Sequence, residues 1–325
     1  MSRVTVVFTG GTISMKPDAR AGGAVPTLRG REIIERTPGL ELVAEVEAID
    51  WGLVPASHLD FGRLLELGRL LEEALAREEV IGAVVVQGTD TIEETAFAFD
   101  LLLRSEKPVV VTGAMRNAAE EDYDGPRNLT DSVRCAASPE LRGQGTVVVL
   151  NGQIIAADQA QKAHTTALNA FRARDGRPLG QVHDGRVQVA ERRGEQPRLP
   201  LLPSVAVESV HLVTVTTGMD GTLVRLLRST HPAGLVVAAT GAGNTHPDLL
   251  AAAQELMGDG CVVCLTTRCP TGGVSPAYAF PGGGLQWQRA GAILSPLDGP
   301  KCRVALALGI AAGLDAAQLR WLLRA

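Results

Sequence analysis

"VIGAVVVQGTDTIEETAF", residues Val80 to Phe97, decides the fold of this chain. Its first seven residues are almost continuously apolar and β-branched, the signature of a strand buried on both faces. Gln87-Gly88 stops the run, and a helical pattern opens at Asp90-Thr91 and continues through "IEETAFAFDLLL". Thr91 followed three residues later by Glu94 has the form of a capping box. A buried strand feeding a helix through a glycine turn is half of a parallel βαβ unit.

The pattern repeats on either side. "VTVVF" (4–8) is a second apolar strand, and it too runs into glycine, at Thr9-Gly10-Gly11-Thr12. Further strands are expected at "LVAEVEAI" (42–49), "PVVVT" (108–112) and "TVVVLN" (146–151), and a helix from Phe61 to Arg77 with a broad leucine face. The segment "ERRGEQPRLPLLPS" (191–204) has three prolines and a charge cluster and reads as a linker. Beyond it the alternation resumes with "VHLVTVT" (210–216), "GLVVAA" (234–239) and "CVVCLTT" (261–267), helices near Asp220 and after Pro247, and a last helix from about Asp315. The expected fold class is α/β: a larger N-terminal domain built on a parallel sheet (1–190), a linker (191–209) and a smaller C-terminal α/β domain (210–325).

Composition narrows the function. The 325 residues carry a formal charge of −5 with basic residues scattered, so no nucleic-acid footprint is present. No apolar run reaches the roughly 18 residues of a membrane helix, and Val4 to Phe8 is too short for a signal-peptide core, which points to a cytoplasmic protein. The five cysteines are an odd number without a paired framework. Cys261 and Cys264 form a Cys-x-x-Cys inside an apparent buried strand, where positions three apart face opposite sides; buried thiols are expected rather than a metal or redox site.

In open parallel sheets ligands bind beyond the carboxyl ends of the strands. Two glycine–threonine turns fall there, Thr9–Thr12 and Gly88–Thr91. Each offers a hydroxyl and free backbone N–H groups, and the second adds Asp90. No phosphate-binding glycine pattern accompanies them, so a small polar substrate suits them better. A threonine hydroxyl needs a base to attack anything at neutral pH. Lysine is scarce, and Lys162 follows a strand in the polar segment "ADQAQKAHTTALNAF". Taken singly, the threonines read as turn chemistry, Asp90 as a helix cap and Lys162 as a surface group.

Together these segments resemble the bacterial-type L-asparaginases and glutaminase-asparaginases. "TGGTIS" (9–14) and "QGTDTIEETAF" (87–97) are similar to that family's two threonine motifs. "TGAMR" (112–116), "DGPRNL" (124–129), "VVLNGQIIAADQAQKAHTTALNAF" (148–171), "GAGN" (241–244) and "GPKCRVALAL" (299–308) follow in the family's order. The resemblance covers nearly the whole chain. It implies a flavodoxin-like N-terminal domain with a smaller C-terminal one, and hydrolysis of a small-molecule amino-acid amide without metal or cofactor. By the same resemblance Thr12 is the nucleophile, and Thr89 is the second catalytic threonine with Asp90 and Lys162 as partners. Asp90 also receives the substrate's α-ammonium group. Backbone N–H groups at Gly11 and Gly88, beside the threonines, hold the oxyanion. Asn244 reaches a neighbouring subunit's site, which implies a homodimer or homotetramer.

The match departs from the family at two places. The substrate-binding serine corresponds to Ala56 or Ser57, depending on a one-residue shift, and Ser57 is taken. The family's tyrosine in the loop after the first motif is missing from "SMKPDARAGGAVPTL" (14–28), where Ala24 is its equivalent. That absence keeps three alternatives open: weak asparaginase activity, an enzyme for a different amide, and a non-hydrolytic amino-acid sensor. A tRNA-dependent amidotransferase subunit would carry an additional N-terminal domain.

Overall fold

The computed structural model describes residues 3–200, 202 and 209–324. It divides into two compact units between Leu201 and Leu202.

The first unit is built on the strands β1 (Arg3–Phe8), β4 (Glu45–Asp50), β5 (Val80–Val86), β6 (Val109–Thr112) and β7 (Thr146–Leu150), with the hairpin β2 (Met15–Asp18) and β3 (Gly23–Pro26) inserted after β1. All five pair in parallel, in the order β4-β1-β5-β6-β7. Relative to chain order among the five this is 2-1-3-4-5, the flavodoxin-like winding, and its switch point lies between β1 and β5.

Helices cover both faces: α1 (Gly30–Glu35), α2 (Phe61–Ala76), α3 (Ile92–Leu102) and α4 (Gly125–Ala136). Alternation along β5 shows how. Val84 and Val86 pack on the side of Leu129 and Val133 of α4, while Val85 packs with Leu67 and Leu71 of α2. Each buried valine or leucine side chain contributes about 1.5–3 kcal/mol, which is why the strands read as unbroken apolar runs. The leucine face of α2 is buried as its spacing predicts, and Asp60 caps its first turn by accepting from the Arg63 N–H.

The sheet then continues antiparallel. Asn151 (φ 50°) and Gly152 (φ 75°) turn the chain from β7 into β8 (Gln153–Ala156). After a small ribbon of β9 (Ala160–Lys162) and β10 (Phe171–Ala173), β11 (Gly180–His183) and β12 (Arg186–Val189) complete the edge. The expected strand over 42–49 is shorter, since Leu40–Leu42 form a single 3-10 turn and β4 begins at Glu45.

One sequence expectation is corrected. Thr91 does not cap α3; its hydroxyl donates to the Ala56 carbonyl instead (3.1 Å), because that turn packs against the Ala56 turn. The charged start of the "linker" is packed on the first unit. Arg193 donates to Asp100 (2.8 Å) and Asp158 (2.9 Å), all three nearly buried, and the Leu199 N–H donates to the Leu101 carbonyl.

The second unit has four parallel strands, β13 (Val210–Thr214), β14 (Gly234–Ala239), β15 (Val262–Thr267) and β16 (Ile293–Leu294), in sequential order. Its helices are α5 (Thr222–Leu227), α6 (Pro247–Gly258), α7 (Gly284–Ala290), α8 (Gly299–Ala311) and α9 (Ala316–Leu322). Cys261 and Cys264 are both buried, and the Cys264 sulfur lies 3.0 Å from that of Cys302 on α8.

Candidate active site

The two glycine–threonine turns leave β1 and β5 side by side at the switch point. The Thr9 N–H donates to the Val86 carbonyl (2.9 Å), and the Gln87 N–H to that of Thr112 (2.9 Å), so each turn starts from a fixed strand end. The close approach that the glycines permit is to the chain itself. A Cβ on Gly10 would lie 2.8 Å from the Val54 nitrogen, and one on Gly11 only 2.1 Å from the Gly88 nitrogen. Gly10 and Gly11 have φ of 115° and 89°, which L side chains rarely adopt. The backbones of the two motifs are thus in contact, with a threonine following each of the touching glycines.

Thr12 heads a single 3-10 turn, Thr12–Ser14, and is half-buried. The turn is closed from inside by the Ser14 N–H and hydroxyl, both donating to the Gly11 carbonyl (2.9 and 2.7 Å). Thr89 is buried on the turn that leads into α3, and Asp90 beside it is exposed.

Lys162 ends β9 and comes to this place from far along the chain. Its Nζ donates to Thr89 Oγ1 (2.8 Å) and to Asp90 Oδ1 (2.7 Å), and its side chain is only 16% exposed. Its backbone N–H donates to Glu93 Oε2 on the first turn of α3 (2.8 Å). Glu93 is a site residue that the sequence reading did not single out. An open cavity of about 490 Å³ is lined here by Asp90, Lys162, Ala163, His164 and Thr165.

The remaining motifs form the frame. The Asp124 carboxylate accepts from the N–H groups of Met115 and Arg116, and the Asn128 amide donates to Asp124 and to the Gly113 carbonyl. The Asn151 N–H donates to the Asn128 side-chain oxygen (3.0 Å). Arg116 donates to the Thr166 carbonyl (2.6 Å), holding the loop that carries His164 and Thr165.

The other named residues lie as follows. Ala56 is buried, its Cβ 2.9 Å from where a Gly88 Cβ would stand, whereas Ser57 is exposed on the same turn. Ala24 is exposed on β3, opposite Pro17 in the hairpin. Asn244 belongs to the second unit, on a tight turn bonded to Thr240, and its Oδ1 is buried with no partner among the described residues. No three potential metal-binding side chains converge among the described residues.

Thr89, Asp90 and Lys162 thus meet beside the switch point of a mixed α/β fold. The model of the asparaginase N-terminal domain matches residues 3–194, and that of the glutaminase/asparaginase C-terminal domain matches 209–323. An L-asparaginase of Bacillus licheniformis is 31% identical over 95% of this chain and 95% of its own length. A probable L-asparaginase of Deinococcus radiodurans is 34% identical over 98% of this chain and 96% of its own. The crystal structure of a probable cytoplasmic L-asparaginase from Campylobacter jejuni superposes with a TM-score of 0.88 at 26% identity, covering 100% of this chain and 99% of that one. The chain belongs to the asparaginase family and is an amidohydrolase.

Proposed function

We propose that this chain hydrolyses the side-chain amide of L-asparagine to L-aspartate and ammonia, with Thr12 as nucleophile. The observation that carries the reading is Lys162 Nζ within hydrogen-bond distance of both Thr89 and Asp90 at the wall of an open cavity. Thr12 Oγ1 attacks the amide carbon, and its proton passes to the amide nitrogen, which departs with it as ammonia. Backbone N–H groups beside Thr12 and Thr89 hold the oxyanion, a contribution of about 2.7–4 kcal/mol per donor in comparable sites. Water then cleaves the ester formed on Thr12. Thr89 and Lys162 move protons in this second step, while Asp90 holds Lys162 and takes the substrate's ammonium on its exposed side. Ser57 is offered as a further substrate contact. Asn244 belongs to the same proposal, as a residue presented to a second copy in a homodimer or homotetramer. A cytoplasmic location is proposed with it, and fractionation of the source cells tests that point.

A second reading is favoured by Ala24. A hairpin without the family's phenol lacks a proton acceptor near Thr12, so slow turnover of asparagine, or preference for another amide, follows. Ammonia release from L-Asn, L-Gln and their D-forms separates the readings. Turnover on L-Asn that disappears in Thr12→Ala and Thr89→Val supports the first. Release from another amide alone supports the second, and binding without release would make the chain a sensor.

A further inference from the structure

Tyr123 is absent from the hairpin, yet its side chain reaches the turn that carries Thr12. Its hydroxyl donates to the Ile13 carbonyl at 2.8 Å, across 110 residues of sequence. The residues around it are fixed. Asp122 accepts from the Arg116 guanidinium (2.9 Å), Asp124 takes the N–H groups of Met115 and Arg116, and the ring lies so close over Gly125 that a Cβ there would stand 2.4 Å from Cζ. The same loop touches the hairpin, through Ala118 N–H to the Met15 carbonyl (3.2 Å). On its other side it holds the lysine-side loop, through Arg116 to Thr166.

We infer that Tyr123 is a positioning residue: its O–H holds the Ile13 carbonyl and so aims the turn that presents Thr12. The loop 115–124 thereby ties the turn that presents Thr12 to the loop that follows Lys162. The inference rests on the proposed role of Thr12.

The physical need comes from the sequence. Thr12 follows two glycines at φ 115° and 89°, and its 3-10 turn is closed from inside by Ser14 on the Gly11 carbonyl, with no side-chain cap at its N-terminus. A nucleophile misplaced by 1 Å loses about 100-fold in rate, so an external tie on the adjoining carbonyl matters more than its own energy suggests. Tyr123 is not a substitute for the missing base. Its hydrogen is committed to an amide carbonyl, and burial pushes the phenol well above its ordinary value, so it remains a neutral donor at working pH.

The test is Tyr123→Phe, which keeps the ring on Gly125 and removes only the hydroxyl. The expected result is a kcat on L-asparagine lower by about 10-fold, with KM within about twofold and an unchanged pH profile. Backbone amide exchange at Ser14, whose N–H closes the turn, should quicken by about 10-fold while the melting temperature stays close to wild type. A kcat within twofold of wild type, a shifted pH profile or unchanged Ser14 exchange overturns the inference. Thr12→Ala separates the two layers. Full turnover in that variant removes the reaction from Thr12 and takes this inference with it. An inactive Thr12→Ala beside a fully active Tyr123→Phe refutes the inference alone.

Discussion

Gly11→Ala should be among the most damaging single methyl additions in the first unit. Gly11 has φ 89° and ψ −176°, a region essentially reserved for glycine, and holding alanine there costs about 1–3 kcal/mol. The added Cβ would also stand 2.1 Å from the Gly88 nitrogen, 2.3 Å from its Cα and 2.6 Å from the Gln87 carbonyl carbon. All three are backbone atoms next to the end of β5, which the Gln87 N–H ties to the Thr112 carbonyl, so no side chain can swing away. Restoring a contact of about 3.2 Å needs about 1 Å of separation between the two motifs, enough for a loss of about 100-fold in kcat. Gly88→Ala provides the internal comparison. Gly88 has an ordinary φ of −65°, and its Cβ would meet the Ala56 Cβ at 2.9 Å. Adding Ala56→Gly removes that obstacle, so the double variant should recover activity while Gly11→Ala with Ala56→Gly should not. Ammonia release and urea midpoints on the four proteins measure both effects. A folded Gly11→Ala enzyme with kcat within threefold of wild type would refute the reasoning.

Lys162→Met should keep the fold and lower turnover by about 100-fold or more, because the Thr89 hydroxyl loses the amine that donates to it at 2.8 Å; retained turnover at wild-type level would count against the relay. Arg193→Met should destabilise by about 3–5 kcal/mol, read from the urea midpoint, since it takes away the guanidinium that donates to both buried carboxylates, Asp100 and Asp158. Cys135 is buried, and burial followed by the nearby Asp131 pushes its thiol up, so the folded chain keeps a proton that the unfolded chain releases above about pH 8.5. Stability attributable to this thiol is complete below that pH and falls by up to about 1.4 kcal/mol per unit above it, or about 2 kcal/mol by pH 10; Cys135→Ala should flatten the decline in urea titrations run from pH 8 to 10. Ala24→Tyr should raise kcat on L-asparagine if the hairpin carries the second reading's missing proton acceptor, and a wild type already turning over hundreds of molecules per second would remove that reading.

What could be read in advance followed hydrophobic period. The strands ending at Phe8 and Val86 are unbroken apolar runs because both faces are covered, and Phe61 to Arg77 carries a leucine stripe that α2 buries almost residue for residue. Single polar contacts have no period. Nothing local to Tyr123 or Glu93 shows that one reaches Ile13 and the other the Lys162 N–H. Arg193 sits in a stretch whose charges and prolines look the same whether they face water or a pair of buried carboxylates. Thr91 and Glu94 have the spacing of a capping box, but the Ala56 carbonyl competes for the hydroxyl and takes it. Lys162 illustrates the reverse case. Its single-residue reading as a surface group fails because Thr89 and Asp90 accept from its Nζ and the side chain is left only 16% exposed.

The contact between Gly11 and Gly88 has a consequence for the order of events as the chain folds. Joining those two turns closes a loop of more than seventy residues, and the tie from Tyr123 to Ile13 closes one of 110. Such distant pairings form late relative to helices and local hairpins. A chain that has made α2 and the β2–β3 hairpin therefore has not brought its two threonine turns together, and that waits until β5 has docked beside β1 and Lys162 has arrived on its ribbon. Recovery of turnover during refolding should lag recovery of helical signal, which makes enzymatic activity a selective reporter of the last parallel pairings in the first unit.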